Sequence, residues 1–360
     1  MKPDLEMKLG SCRGALAALA AKDGDARRRR RDDEDLWMAP YGSPYAVDVN
    51  KLLCSKAIRR LHGKTQVVVL PKNSHTRDRL SHSFEVAGIA TTAARILGLN
   101  ESLCLAAALA HDIGHTPLGH GGEKLMAEAT GRPFRHEIFG VIVAQKIERQ
   151  GQGLNLTYQV LDAVRNHSRG GDRQLRCSSS TVEGDLMMFS DKIGYIFADF
   201  NDIFVRTAHT GSRLKPADFP ALAEGMAWFG ANHRERNATC IAHLCLESAE
   251  KGAVAFRDSE AAQRFTEVKK LMYQAYGSFD RKDADAAARR VLQALSDLER
   301  DVEPAILFAL MNDDDVLGLN RKVETRGTIA AADLAPLSIG DIIPALRGNN
   351  IDLTDPDLDW

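Results

Sequence analysis

From residue 81 onward the apolar positions recur at helical spacing. In SHSFEVAGIATTAARIL, residues 81–97, they fall at 84, 86, 89, 90, 93, 96 and 97, and Gly98 follows as a stop. ESLCLAAALAHD, residues 101–112, is nearly continuously apolar and predicts a helix buried on all sides. The next ten residues, 113–122, hold four glycines and a proline, so they predict a loop of tight turns. Further helices are predicted over about 123–129, 136–149, 157–167 and 181–204, and a helical pair over 259–304 with a loop near 277–283. Upstream, 48–62 reads as a mixed helix ending near Gly63. QVVVL at 66–70, stopped by Pro71, is the only clear β-like run in the first half. The tail from 331 predicts mostly irregular chain with a small strand or two. The pattern is that of a mostly all-α protein with few short strands.

No internal repeat is present. Ordered structure is expected to begin after PYGSPY at 40–45. The division is a partly mobile N-terminal arm, 1–45, one large domain with a C-terminal helical part, 46–330, and a tail, 331–360. A length of 360 residues suits one such domain. The arm carries KDGDARRRRRDDED at 22–35. A solvated segment is the plain reading, with a subunit contact or a weak nucleic-acid contact through Arg27–Arg31 as the alternative.

Composition sharpens the picture. A hydrophobic fraction of 44% with only 6% aromatics favours helix over sheet. The net charge of −2 supplies no global field for a polyanion, so any such site must be built locally. Six cysteines, at 12, 54, 104, 177, 240 and 245, include no CxxC pair, which implies a reducing, cytoplasmic setting. No stretch approaches the ~18 apolar residues of a membrane span. The Ala/Leu run at 15–21 is short for a signal-peptide core.

The strongest chemical signal is His111-Asp112 at the end of the buried helix. A nearly all-apolar helix has little reason to end in that pair unless both groups are satisfied. His115, His120 and Glu123 follow within one glycine-rich loop. His82 stands upstream, and Asp191 lies in a long amphipathic helix downstream. Two imidazoles and two carboxylates make a mixed N/O donor set, suited to Mn, Mg, Fe, Co or Ni more than to structural zinc.

At this point the chain resembles the HD superfamily, and within it the deoxyguanosinetriphosphate triphosphohydrolase-like proteins. HDIGHTPLGHGGE at 111–123 resembles that family's central motif, and RDRLSHSFEVAGIA at 77–90 its upstream histidine motif. SKAIRRLHGKTQVVVL at 55–70, LNLTYQVLDAVRNHS at 154–168 and VEGDLMMFSDKIGYIFADFND at 182–202 are similar to further blocks in the family's order. The resemblance fades after about residue 210. It implies one divalent ion, Mn or Mg as the working choice, on His82, His111, Asp112 and Asp191, with a further Mg accompanying a triphosphate.

Cations and donors stand beside the ligands: Arg77, Arg79, Lys192, His115 and His136 are candidates for phosphate. Asp191, Tyr195, Asp199 and Asp202 recur at steps of four, four and three and share one helix face. The resemblance implies that Asp191, Lys192, Tyr195 and Asp199 serve metal, phosphate and sugar in turn, that Gln66 approaches the sugar, and that Tyr195 walls off a 2′-hydroxyl. His120 and Glu123 are the expected acid/base pair, and His115 is expected to touch phosphate. The implied reaction cuts deoxynucleoside triphosphates to deoxynucleoside and inorganic triphosphate. The implied assembly is a homo-oligomer, hexameric or tetrameric. Two alternatives share much of the core: an HD phosphohydrolase or phosphodiesterase for monophosphates or cyclic nucleotides, and a nucleotide-sensing or nucleic-acid-binding protein.

Overall fold

The computed structural model describes residues 3–360 apart from 39, 41, 70–72, 74, 169–177, 279–280 and 299–300. The described residues are mostly helical. Among them the β pairing is a single antiparallel bridge between Thr65 and Asp78, and no helix is long and apolar enough to cross a membrane.

The helices follow the hydrophobic pattern closely. Arg79–Leu97 starts slightly earlier than the pattern predicts, because Asp78 and Ser81 form a reciprocal capping box. It ends at Gly98, whose φ of 81° is the left-handed conformation of a helix stop. Glu101–Ala110 is capped by Asn100, and Val182–Phe200 by Thr181. The predicted 136–149 and 181–204 helices are each split: Val143–Ile147 and Asn201–Val205 continue them as π-helical turns. The late pair is Glu260–Tyr276 and Lys282–Leu298.

Glu101–Ala110 is the hub. Leu103, Ala106, Leu109 and Ala110 belong to one apolar core, and Cys104, Ala107 and Ala108 to a second. That double duty is why the sequence offers no polar face there. The first core takes in the C-terminal segments, including Phe308, Ile339 and Leu353, and the second is built largely on Val182–Phe200 and the helices that follow it.

Two expectations need correction. QVVVL is not a strand: Gln66–Val69 form bends, and Leu70 and Pro71 lie outside the described residues. Val67 and Val68 pack against the second core and Val69 against the first, so the β-branched run ties the two cores together instead of pairing. The tail contains no strand among the described residues; it forms short helices at Ala331–Leu334 and Ile343–Leu346 and buries Ile343, Leu346, Ile351 and Leu358.

The arginine-rich arm is docked through Arg28, while Arg27, Arg29, Arg30 and Arg31 stay exposed. Arg28 donates to Asp35, to the buried Asp48, and to the carbonyls of Asn155 and Pro44. Arg27 lies 4.1 Å over the Tyr158 ring, Arg29 pairs with Asp357, and Arg30 donates to the Gln152 carbonyl. Buried Asp48 accounts for the arrangement, since a carboxylate out of water demands a cation. Of the six cysteines Cys177 lies outside the described residues, and the other five are free thiols.

Arg28→Ala should lower stability by about 3 kcal/mol, the low end for a broken buried pair because Thr157 still donates to Asp48. Arg31→Ala, whose side chain is 81% exposed, should stay within about 0.5 kcal/mol. Urea unfolding midpoints measure both, and equal midpoints for the two variants would rule out the docked arm.

Candidate active site

His82 sits in the first turn of Arg79–Leu97, His111 and Asp112 just past the end of Glu101–Ala110, and Asp191 midway along Val182–Phe200. These three helices pack on one another, so the four side chains converge where the cores meet. His82 Nε2 lies 3.1 Å from Asp191 Oδ1 and 4.0 Å from Asp112 Oδ2. His111 Nε2 lies 3.4 Å from Asp112 Oδ1 and 3.6 Å from Asp191 Oδ1.

The tautomer of His111 follows from its surroundings. Nδ1 lies 2.7 Å from the Ala108 carbonyl, so it must donate there, which leaves the lone pair on Nε2. That Nε2 is buried and has no hydrogen-bond partner. Burial favours the ring's neutral form, lowering its pKa. The carboxylates are ionised despite burial: His111 and Arg79 hold Asp112 well below the usual range, and Lys192 and His82 do so for Asp191. A buried lone pair facing two ionised carboxylates is a fitting cradle for a divalent cation, and His82, His111 and Asp112 lie close enough together to share one.

The glycine-rich loop is pressed against the His136–Ile142 helix. A Cβ on Gly114 would stand 2.1 Å from the His136 carbonyl oxygen, so only glycine allows that approach. As a result the His115 and His136 rings stack, with centroids 3.6 Å apart. Glu123 Oε1 lies 3.0 Å from His115 Nδ1, 3.3 Å from His120 Nδ1 and 2.9 Å from His136 Nδ1. Burial and the nearby Arg79 and His136 push His115 down to about 3, so that ring is neutral. The His120 side chain is 73% exposed and sits at the rim.

These groups line one cavity of about 1480 Å³. Gln66, Arg79, His82, Asp112, Asp191, Lys192, Tyr195 and Asp199 all face it, as do His115, His120, Glu123 and His136. His111 lies behind them. Arg79 Nη1 is 2.7 Å from Asp112 Oδ2, and Lys192 Nζ is 2.9 Å from Asp191 Oδ2. The Tyr195 hydroxyl shares a hydrogen bond with Tyr273, and Tyr276 donates to Asp199 at 2.6 Å.

One expected residue is not brought in. Arg77 pairs with Glu85 at 2.9 Å and with Asp202 at 2.6 Å, outside the large cavity. The strip of carboxylates on the 182–200 helix therefore divides: Asp191 and Asp199 face the cavity, while Asp202, in the following π turn, serves Arg77. Sequence reasoning also missed His167, Tyr273, Tyr276 and Arg281, which line the cavity. His167 stands inside the 154–168 block but has no acid beside it in sequence. Tyr273 and Tyr276, spaced to share a helix face, lie beyond the point where the resemblance fades.

The HD domain family pattern matches residues 79–195, which carry all four candidate ligands. A deoxyguanosinetriphosphate triphosphohydrolase-like protein from Caldanaerobacter subterraneus is 37% identical over 292 residues, covering 81% of this chain and 79% of its own. This chain belongs to the deoxyguanosinetriphosphate triphosphohydrolase-like family. Relatives of the same name from Clostridium tetani and Desulfatibacillum aliphaticivorans are 36% and 34% identical, each over 68% of this chain and 69% of theirs. Family and site together mark a metal-dependent hydrolase of the HD type.

Within this family member Asp199 offers a pH test. Burial raises its pKa to about 7, with Tyr276 pulling the other way. Between about 4 and 7 the folded chain keeps a proton that the unfolded chain has lost, so stability falls as pH rises through that window and levels off above it. Asp199→Asn keeps an acceptor for Tyr276 and removes that slope. Urea unfolding across pH 4–8 should show the variant gaining on the wild type by on the order of a few kcal/mol at the alkaline end. A constant difference across the range would mean that Asp199 is ionised throughout.

Proposed function

We propose that this protein hydrolyses deoxynucleoside triphosphates to deoxynucleoside and inorganic triphosphate. One divalent ion, Mn or Mg, would be held by His82, His111, Asp112 and Asp191. The observation that carries the reading is a single cavity joining that donor set to a cationic flank and a polar, tyrosine-walled end. The names of the relatives point the same way. When bound, the ion supplies Lewis-acid polarisation of a phosphoryl oxygen and acidifies water.

The chain's own groups divide the remaining work. Lys192 and the Arg79 guanidinium offset phosphate charge while their other contacts hold Asp191 and Asp112 in place. His115, being neutral, lines the phosphate side without adding charge. Burial lowers the pKa of His136 and Glu123 raises it, with the net direction upward. Glu123 fixes the proton of His120 on Nδ1 and leaves Nε2 as the base. Exposure at the rim lets His120 pass a proton between the leaving or attacking oxygen and solvent. At the far end Asp199 meets the sugar 3′-hydroxyl. Gln66 assists, and its Oε1 is buried without a partner. The Tyr195 hydroxyl is engaged with Tyr273, so its ring forms the wall against a 2′-hydroxyl.

The test is a panel of four deoxynucleoside and four ribonucleoside triphosphates with Mn or Mg, both products resolved by chromatography. Deoxynucleoside plus triphosphate is the expected pair. Pyrophosphate with monophosphate would move the cleaved bond, and activity confined to monophosphates or cyclic nucleotides would favour the other HD chemistry. Tyr195→Ala should raise ribonucleotide turnover relative to deoxynucleotide. Asp191→Ala should lose metal and both activities, by roughly 10³-fold for several kcal/mol of lost stabilisation.

The same reading extends to a hexameric or tetrameric assembly. Trp37, Phe84 and Val205 expose apolar surface that a subunit neighbour would cover. Light scattering at micromolar protein should give an even multiple of 39.5 kDa; a monomer mass would reject the assembly.

A further inference from the structure

Beside the four candidate ligands stands a second cluster whose polar atoms are left facing one another. His115 Nδ1, His136 Nδ1 and Glu123 Oε1 are buried, and none has a hydrogen-bond partner outside this cluster. His120 Nδ1 completes the group, and the four ligand atoms all lie within 4.8 Å of one another.

Hydrogen-bond logic fixes where the ring protons sit. His167 Nδ1 lies 2.7 Å from the Val164 carbonyl, so it donates there and its Nε2 carries a lone pair. His136 Nε2 lies 3.2 Å from that lone pair and must donate to it. His115 Nε2 lies 3.3 Å from Asp112 Oδ1 and must likewise donate. In their neutral forms both rings therefore turn bare Nδ1 lone pairs toward Glu123 Oε1, at 2.9 and 3.0 Å. Three acceptors at that range repel unless a cation or an added proton stands among them.

The geometry points to a second divalent transition-metal site, formed by His115, His120, Glu123 and His136. Three imidazoles and one carboxylate are a zinc-type donor set, unlike the two-imidazole, two-carboxylate set next to it. The spacing agrees: bonds of about 2.0–2.1 Å in a tetrahedron give ligand edges of roughly 3.3 Å, and the contacts to Glu123 run from 2.9 to 3.3 Å. Asp112 and His167 stand behind His115 and His136 as the acceptors that orient metal-ligating histidines. An ion here occupies the Nδ1 of His120 and the carboxylate of Glu123. This consequence rests on the acid/base reading given above: zinc in the second site suppresses hydrolysis supported by manganese.

The test counts zinc. Full-length protein is stripped with a chelator and dialysed against zinc chloride, and zinc per chain is measured by mass spectrometry. The wild type should hold two ions. His120 is at the surface, so His120→Ala should fold and hold the second at least roughly 10-fold more weakly, with Glu123→Gln behaving alike. The second equivalent of zinc should also lower the wild type's manganese-supported rate. One zinc per wild-type chain would overturn the site, as would a second zinc bound equally well by both variants. Two zinc ions in a protein that hydrolyses no triphosphate would support the site and count only against the substrate reading.

Discussion

Everything in this molecule is organised around the cost of seating ionised groups at the junction of two apolar cores. The Glu101–Ala110 helix is covered on both sides, one set of its side chains in each core. At its end the chain changes from alanine to His111 and Asp112, both almost wholly buried. Unpaired charges there would cost several kcal/mol each. The surrounding sequence meets that cost with cations on one side of each carboxylate and imidazoles on the other.

The C-terminal third takes part in holding this arrangement. Asp313, at the start of Asp313–Arg326, accepts from Thr65 N, Thr65 Oγ1 and Leu118 N. Leu118 and Gly119 both have positive φ, at 61° and 59°, so the loop carries backbone strain at a non-glycine position. Leu118 N donates to Asp313, the Leu118 carbonyl accepts from Arg281, and the Gly119 carbonyl accepts from Thr116, so the strained turn is held from several sides. Lys64, fully buried, donates to the carbonyls of His115 and Ala309, and burial lowers it to about 7. Asp313 and the Ala309 carbonyl, far outside the recognisable blocks, therefore brace the most recognisable loop from behind, the latter through Lys64.

Legibility followed the physics of each signal. Helix existence was plain because burial on a 3.6-residue period leaves a mark at every turn, and caps such as Asp78 and Asn100 moved boundaries by only a residue or two. His111 and Asp112 stood out because an apolar helix that ends in His-Asp buries two polar groups, and these must find a charged partner; His82 and Asp191 joined them as candidate ligands through the family resemblance. Arg77 was misplaced because sequence nearness to His82 says nothing about which face of the chain a guanidinium takes; Asp202 and Glu85 decide it. The docking of Arg28 escaped notice because its partner Asp48 becomes a buried acceptor only once the fold is formed. Valine at 67–69 misled for the opposite reason: β-branched residues mark a half-buried surface, and two cores can supply that surface without a second strand.

The two carboxylates at the centre are used alike, and this bears on the charge that the cavity accepts. Asp112 gives Oδ2 to Arg79, and Asp191 gives Oδ2 to Lys192. Each keeps Oδ1 turned toward the histidines, at 3.4 Å from His111 for Asp112 and 3.1 Å from His82 for Asp191. Arg79 and Lys192 therefore balance the two aspartates before any ion arrives. A divalent cation added to those four side chains would leave them with an excess of positive charge, of which the ionised Glu123 in the same cavity offsets part. An anionic ligand would offset the rest. Had Arg79 and Lys192 been neutral, the aspartates alone would balance the ion and the site would have little electrostatic preference for its substrate. The cations that steady the ligands are thus also what makes the loaded site demand an anion.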